Sequence, residues 1–177
     1  MRDELSRACA KECIVRAGMA DRDPNVIIEH PNRAKAASKA TKAVVLLLLL
    51  ATAVLVTIVT VGGWKALEGA KILQIAYILL YLVMAYFVAR WNRGVLPVAA
   101  ALAIILLIFA AVAGPQWFDR NKAGFTNPAL NEDVLGLITF IIVPVQVFLI
   151  AFAMRGFQQA WNVEVERYPD GSTAKVS

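Results

Sequence analysis

Four stretches of this chain, 43–64, 72–89, 94–118 and 134–154, contain no Asp, Glu, Lys, Arg or His. Each supplies roughly the 20 apolar residues that a helix needs to cross the ~30 Å hydrocarbon core of a bilayer. In hydrocarbon every backbone N–H and C=O must be satisfied within the segment, so an uncharged run of this length folds as a helix. The expected fold is therefore all-α: an integral-membrane bundle of four transmembrane helices, with spans at about 43–64, 72–90, 95–114 and 131–155. A soluble chain would be roughly 45–50% apolar and 25% charged. This one is 59% hydrophobic and 18% charged over 177 residues, with a mean hydropathy of +0.63. The excess sits in the four blocks, which leaves one membrane domain at 43–155, a segment at 1–42 and a tail at 156–177. The first block starts only after 42 residues and exceeds the 7–15-residue apolar core of a signal peptide, so it reads as a retained helix.

Orientation follows from where the basic residues fall, because Lys and Arg flanking the spans concentrate on the cytoplasmic side. Nine precede the first span, Arg90 and Arg93 lie between the second and third, and three follow the fourth. These fourteen face four on the other side: Lys65, Lys71, Arg120 and Lys122. Both termini are thus expected in the cytoplasm, and the chain in the plasma (inner) membrane as a multi-pass protein. Trp64, Trp91, Trp117 and Trp161 fall near the expected span ends, as residues of an aromatic belt would.

Outside the spans, Arg2 to Met19 has helical composition and holds Cys9 and Cys13. A cytoplasmic setting disfavours a disulfide between them, and with His30 the sole histidine they lack partners for a structural zinc site. From Arg33 a basic helix is expected to run unbroken into the first span. Lys35, Lys39 and Lys42 at i, i+4 and i+7 would then share one face, a collar for anionic lipid headgroups worth about 1 kcal/mol per residue. Gly62 and Gly63 are expected to end the first helix and let the chain turn, and Gly114-Pro115 to end the third. Asn127-Pro128 reads as an N-cap with Pro at the first helical position of the fourth helix. Residues 163–168 (Val-Glu-Val-Glu-Arg-Tyr) alternate with period two, and Pro169-Asp-Gly171 turns the chain into a tail expected to be disordered.

The four uncharged stretches contain no serine either, which disfavours an intramembrane Ser–His protease, a carboxylate proton relay or a histidine-held haem or metal. No cofactor is expected and no enzymatic activity. The polar residues that the spans do hold fall on defined faces. Pro144 removes a backbone hydrogen bond in mid-span and frees the Phe140 carbonyl, so it predicts a kink. Thr139 and Gln146 lie on one face around it, and Gln74, Tyr77 and Tyr81 form one face of the second helix. Such groups suit either packing between helices or a narrow path or headgroup site. Ala99 and Ala103, then Ala110 and Gly114, set small residues four apart on the third span, a pattern that lets helices approach closely, inside the bundle or against a partner chain. The connection after Pro115, with Trp117, Phe118 and Phe125 among charges, reads as a docking loop at the membrane surface. Together these features point to a small non-enzymatic helper, an accessory subunit or assembly factor of a larger membrane complex. The rival is an oligomeric channel or small-solute carrier. The expected partners are the bilayer, anionic headgroups and other membrane subunits or further copies of the chain, not nucleic acid.

The orientation has a direct test. In a background lacking Cys9 and Cys13, Ala123→Cys should react with an impermeant thiol reagent on intact cells and Ser172→Cys should not. The reverse pattern would overturn the orientation.

Overall fold

The structure is a computed structural model that describes residues 27–67, 69–120, 128–167 and 173–175. It divides into two units, 32–162 and a smaller one formed by 1–31 with 163–177.

The larger unit holds four helices long and apolar enough to cross a membrane. After a single turn at Pro31–Ala34 (α1), they are α2 (Ala36–Gly62), α3 (Lys71–Ala89), α4 (Val95–Phe118) and α5 (Glu132–Gln158). They differ from the expected spans mainly at their ends. The basic helix does not run unbroken from Arg33, because Lys35 adopts an extended conformation (φ −62°, ψ 134°) and separates α1 from α2. α4 does not stop at Gly114-Pro115 but continues one turn further, to Phe118. Pro115 can sit there because it sacrifices one hydrogen bond near a terminus, where the helix ends within a turn. α5 begins at Glu132 rather than at Pro128. Asn131 is the cap, its Oδ1 accepting from the Asp133 N–H at 2.9 Å, with Glu132 and Asp133 on the positive end of the dipole. Asn127 lies outside the described residues.

Threonine is tolerated in these apolar helices because its hydroxyl can return to its own backbone. Thr41, Thr52, Thr57 and Thr60 of α2, and Thr139 of α5, each donate to the carbonyl four residues back, at 2.6–2.9 Å. Neighbouring helices pack in the order α3, α2, α5, α4, and the ring closes only sparingly, where α3 meets α4. α2 and α5 are therefore the central pair. The small-residue stripe of α4 is internal: Ala99, Ala103, Ala110 and Gly114 are buried, and a Cβ on Gly114 would lie 3.2 Å from the Phe140 ring of α5. That stripe sets α4 close to α5 and is not an exposed face for another chain.

Two of the four tryptophans are core residues rather than belt residues. Trp161 is fully buried and Trp117 is 6% exposed, whereas Trp64 is 46% exposed. Trp117 explains the glycines at the end of α2. Gly63 has φ −93°, a conformation open to any residue, so no left-handed turn demands it. What demands it is space, since a Cβ there would lie 2.7 Å from Trp117 Cη2 and 2.9 Å from the Val59 carbonyl. Gly62 likewise admits the 129–130 segment, whose Ala129 and Leu130 N–H groups donate to the Gly62 carbonyl at 2.9 and 3.2 Å.

The smaller unit carries a three-stranded antiparallel sheet, β1 (Ile27–Glu29), β2 (Val165–Arg167) and β3 (Thr173–Lys175), in the order β1-β2-β3. β2 falls within the alternating stretch at 163–168. β3 corrects the expectation of a disordered tail: its residues pair with β2, Val165 opposite Lys175 and Arg167 opposite Thr173. The all-α expectation thus holds for the four long apolar helices and misses this sheet. Arg167 and Glu29 form an exposed ion pair at 3.1 Å, a contact of at most about 1 kcal/mol. Cys9, Cys13 and the helix expected at Arg2 to Met19 lie outside the described residues.

Gly63→Ala should destabilise the protein by about 1–3 kcal/mol, as overpacking against a rigid ring does. Gly69→Ala is the control, since a Cβ there meets nothing within 4 Å. It should leave the unfolding midpoint in detergent unchanged or slightly raised. Equal effects at the two glycines would contradict the role assigned to Trp117.

Candidate functional site

At mid-height three helices share one chain of hydrogen bonds. The Tyr81 hydroxyl of α3 donates to Gln146 Oε1 of α5 at 2.8 Å. Gln146 Nε2 donates to Thr52 Oγ1 of α2 at 2.9 Å, and Thr52 donates to the Leu48 carbonyl at 2.8 Å. All three side chains are at most 1% exposed. Each polar side-chain atom of the relay has a hydrogen-bond partner, which is what a buried polar network requires to be stable. Leu49, Val45, Ala103, Leu106 and Ile142 belong to the apolar core around it. The middle of the bundle is therefore filled.

This placement resolves the residues grouped around the fourth span. Gln146 and Thr139 are both buried on one face of α5, as the spacing predicts. Gln146 does not rescue the carbonyl freed by Pro144, because Tyr81 and Thr52 take both ends of its amide. Pro144 itself is exposed on the outer side of α5, which continues through it without interruption. Gln74, Tyr77 and Tyr81 lie on one inward face of α3, but their surroundings differ. Tyr81 is bound into the relay, whereas Gln74 and Tyr77 line a cavity.

That cavity, of about 360 Å³, lies where α3 and α4 barely meet, in the half of the bundle nearer Gly62. Its floor is Val56, Leu106, Ala110 and Ile142, and Trp117 closes its far end. Leu73 of α3 and Phe109 and Val112 of α4 are all exposed and form its mouth on the apolar flank of the bundle. Beside it, Thr60 Oγ1 stands 2.6 Å from both the Val56 carbonyl and Gln74 Oε1, its one proton shared between the two acceptors, and Gln74 itself lines the cavity. Tyr77 is 7% exposed, with its ring 6.3 Å from that of Tyr81. Among the described residues its hydroxyl has no hydrogen-bond partner, and it is not sealed from the cavity that Tyr77 lines.

The opposite end of the bundle is basic and tightly tied. Lys42 is not part of a free collar: its Nζ donates to the Ala89 carbonyl at the end of α3 at 2.7 Å and stands 4.0 Å over the Trp91 ring. Lys35 and Lys39 are exposed. Arg93 Nε donates to the Phe157 carbonyl in the last turn of α5, and Arg33 Nε to the Trp161 carbonyl just beyond it, at 2.6 and 3.1 Å. Two helix C-termini, rich in unpaired carbonyls and negative in dipole, thus each receive a cation, Lys42 on α3 and Arg93 on α5, with Arg33 on the segment just after α5. Trp91 occupies the left-handed region (φ 62°) after α3, where its N–H reaches the Val88 carbonyl and the Asn92 N–H reaches that of Phe87. Glycine usually fills this position. Here the Trp91–Trp161 edge contact, with ring centroids 5.4 Å apart, and the Lys42 cation hold a tryptophan in it.

The docking loop expected after Pro115 is only partly a loop. Trp117 is an inward-facing residue of α4, and Phe118 stacks on Phe140 of α5 at 6.0 Å while keeping an exposed edge. Phe125 lies outside the described residues. Among the described residues no three of His, Cys, Asp and Glu come together as metal ligands would. The relay, the cavity and the inward turn of Trp117 escape a reading of spacing alone, because they depend on which helices become neighbours. With this geometry in hand, no known protein family, no characterised protein and no solved structure matches the chain.

The relay has a characteristic energetic signature. Gln146→Leu should destabilise the bundle by about 1–3 kcal/mol by stranding the Tyr81 hydroxyl. Interhelical hydrogen bonds in membranes average about 0.6 kcal/mol with a maximum near 1.7, so the lower part of that range is expected. The triple variant Gln146→Leu, Tyr81→Phe, Thr52→Val should recover most of the loss in a denaturant titration in detergent. Additive losses across the three sites would refute a shared relay.

Proposed function

We propose that this chain is a small, non-enzymatic, multi-pass protein of the plasma (inner) membrane. In this reading it acts as an accessory subunit or assembly factor of a larger membrane complex, with both termini in the cytoplasm. The observation that supports it most is the mid-height relay. The polar side chains that a path through a single copy would employ, Tyr81, Gln146 and Thr52, are bound to one another and enclosed by apolar core. A protein whose centre is closed and whose helices carry no charge over their central stretches suits binding better than conduction. The surface available for binding is apolar and broad along α3, where Ile72, Leu79, Leu82, Val83 and Phe87 are exposed. In the proposed orientation the basic end faces the cytoplasm, and Lys35 and Lys39 are free to meet anionic headgroups while Lys42 serves the fold.

Purification in mild detergent from the native membrane should bring down a defined larger complex. Pro144→Ala, on the exposed side of α5 and away from the relay, should insert, co-purify as before and change no flux in liposomes. A self-associated ring that conducts ions or solute, with flux altered by Pro144→Ala at unchanged oligomer size, would replace the accessory reading with that of an oligomeric channel.

A further inference from the structure

We infer that the cavity between α3 and α4 is a binding site for a neutral, lipid-soluble ring compound bearing carbonyl groups, of the quinone class, that enters sideways from the bilayer. The inference does not depend on the accessory reading. It begins with the Tyr77 hydroxyl. Tyr77 is more than nine-tenths buried, and among the described residues nothing accepts from or donates to that hydroxyl, although it lines the cavity. In hydrocarbon no water stands by to satisfy it, so an unfilled hydroxyl is a standing cost that a carbonyl would remove. Gln74, in contact with Thr60 at one end of its amide, is a second polar side chain lining the cavity.

The chemistry of the walls selects the class. Among the described lining residues there is no carboxylate, and the groups at depth, Tyr77, Gln74 and Thr139, are all neutral. Arg120 lies over the Trp117 ring at 5.3 Å and is otherwise engaged. The interior thus suits a neutral head rather than an ionised one. Tyr77, Phe109 and Trp117 supply aromatic walls, on which a flat ring packs better than a branched headgroup. A volume of about 360 Å³ falls at the lower end of the range for small-molecule sites, room for one substituted ring and the start of a tail. The mouth at Leu73, Phe109 and Val112 is exposed and apolar, so a hydrocarbon tail can continue from it into lipid.

The test uses the full chain in lipid nanodiscs, titrated with a decyl-substituted benzoquinone while tryptophan fluorescence is followed, because Trp117 lines the cavity. A saturable quenching component is expected above the linear one from quinone dissolved in lipid. Tyr77→Phe should weaken the saturable component about fivefold, the worth of one hydrogen bond. Its unfolding midpoint should stay at that of the parent or rise slightly, since the hydroxyl has no partner among the described residues and its removal relieves a desolvation cost. Ala113→Phe, which narrows the cavity from its wall, should abolish saturation. Decylbenzene, which has the tail and ring without carbonyls, should compete poorly. Absence of a saturable component, or equal affinity for Tyr77→Phe and parent, would overturn the proposal. Equal competition by decylbenzene would also overturn it and leave the cavity as a crevice filled by lipid chains.

Discussion

A glutamine amide at the centre of an apolar bundle has no water to turn to, and Gln146 is fully buried there. Its N–H end requires an oxygen that accepts its proton and its carbonyl end a proton donated to it, each from a side chain that can reach mid-height. Tyr81 and Thr52 meet that requirement from two different helices, so satisfying one amide fixes the rotation of α3, α2 and α5 together. Apolar packing alone is permissive about rotation, because Leu, Val and Ile faces resemble one another and resemble lipid. A directional bond is not permissive. The relay therefore contributes less through its few kcal/mol than through the arrangements it rules out, and this is the use for which buried polar groups are best attested.

The ends of the helices pose the same problem in the backbone. α3 and α5 finish at the end of the bundle where the basic residues gather, each leaving carbonyls with no partner in the helix. Lys42 and Arg93 supply donors to them and Arg33 to the Trp161 carbonyl just beyond α5, while the Trp91 ring, packed edge-on against Trp161, lies under the Lys42 cation. A basic residue near a span end is thus read in two ways at once: as an orientation signal in the sequence, and as a cap on a neighbouring helix in the fold. Lys42 lies one turn beyond Lys39 on the same helix, yet only its neighbours decide that it serves the fold.

The sequence makes the four helices legible to within a few residues, because an uncharged run of about 20 residues has one stable form in hydrocarbon. It also makes legible which residues share a face, since Gln74, Tyr77 and Tyr81 do lie together on the inner side of α3. What it conceals are properties of pairs. Trp117 and Phe118 look like tips of a surface loop until α4 is seen to outrun Pro115. The need for glycine at position 63 is invisible until Trp117 is set against it. The small residues of α4 fit an internal or an external partner equally well, and only the packing order places α5 against them. β3 carries too few apolar residues to announce itself, and its pairing with β2 is what defines it as a strand.

Tyr77 and Tyr81 are one turn apart on one helix, chemically identical and both buried, yet they end in opposite conditions. The difference lies in what faces each of them. At Tyr81 the helix is drawn against α2 and α5 by the relay, and toward the basic end Lys42 holds its last turn. Toward the other end the side-chain hydrogen bond holding α3, among the described residues, is that between Thr60 and Gln74, and α4 is turned toward α5 by its small-residue stripe. Close packing of α4 on α5 thus leaves α3 short of a neighbour, and the gap opens where the ring of helices fails to close. The cavity follows from the same choices that seal the middle: a bundle that commits its small residues to one interface and its polar relay to another leaves the third seam, with Tyr77 in it, to something from outside.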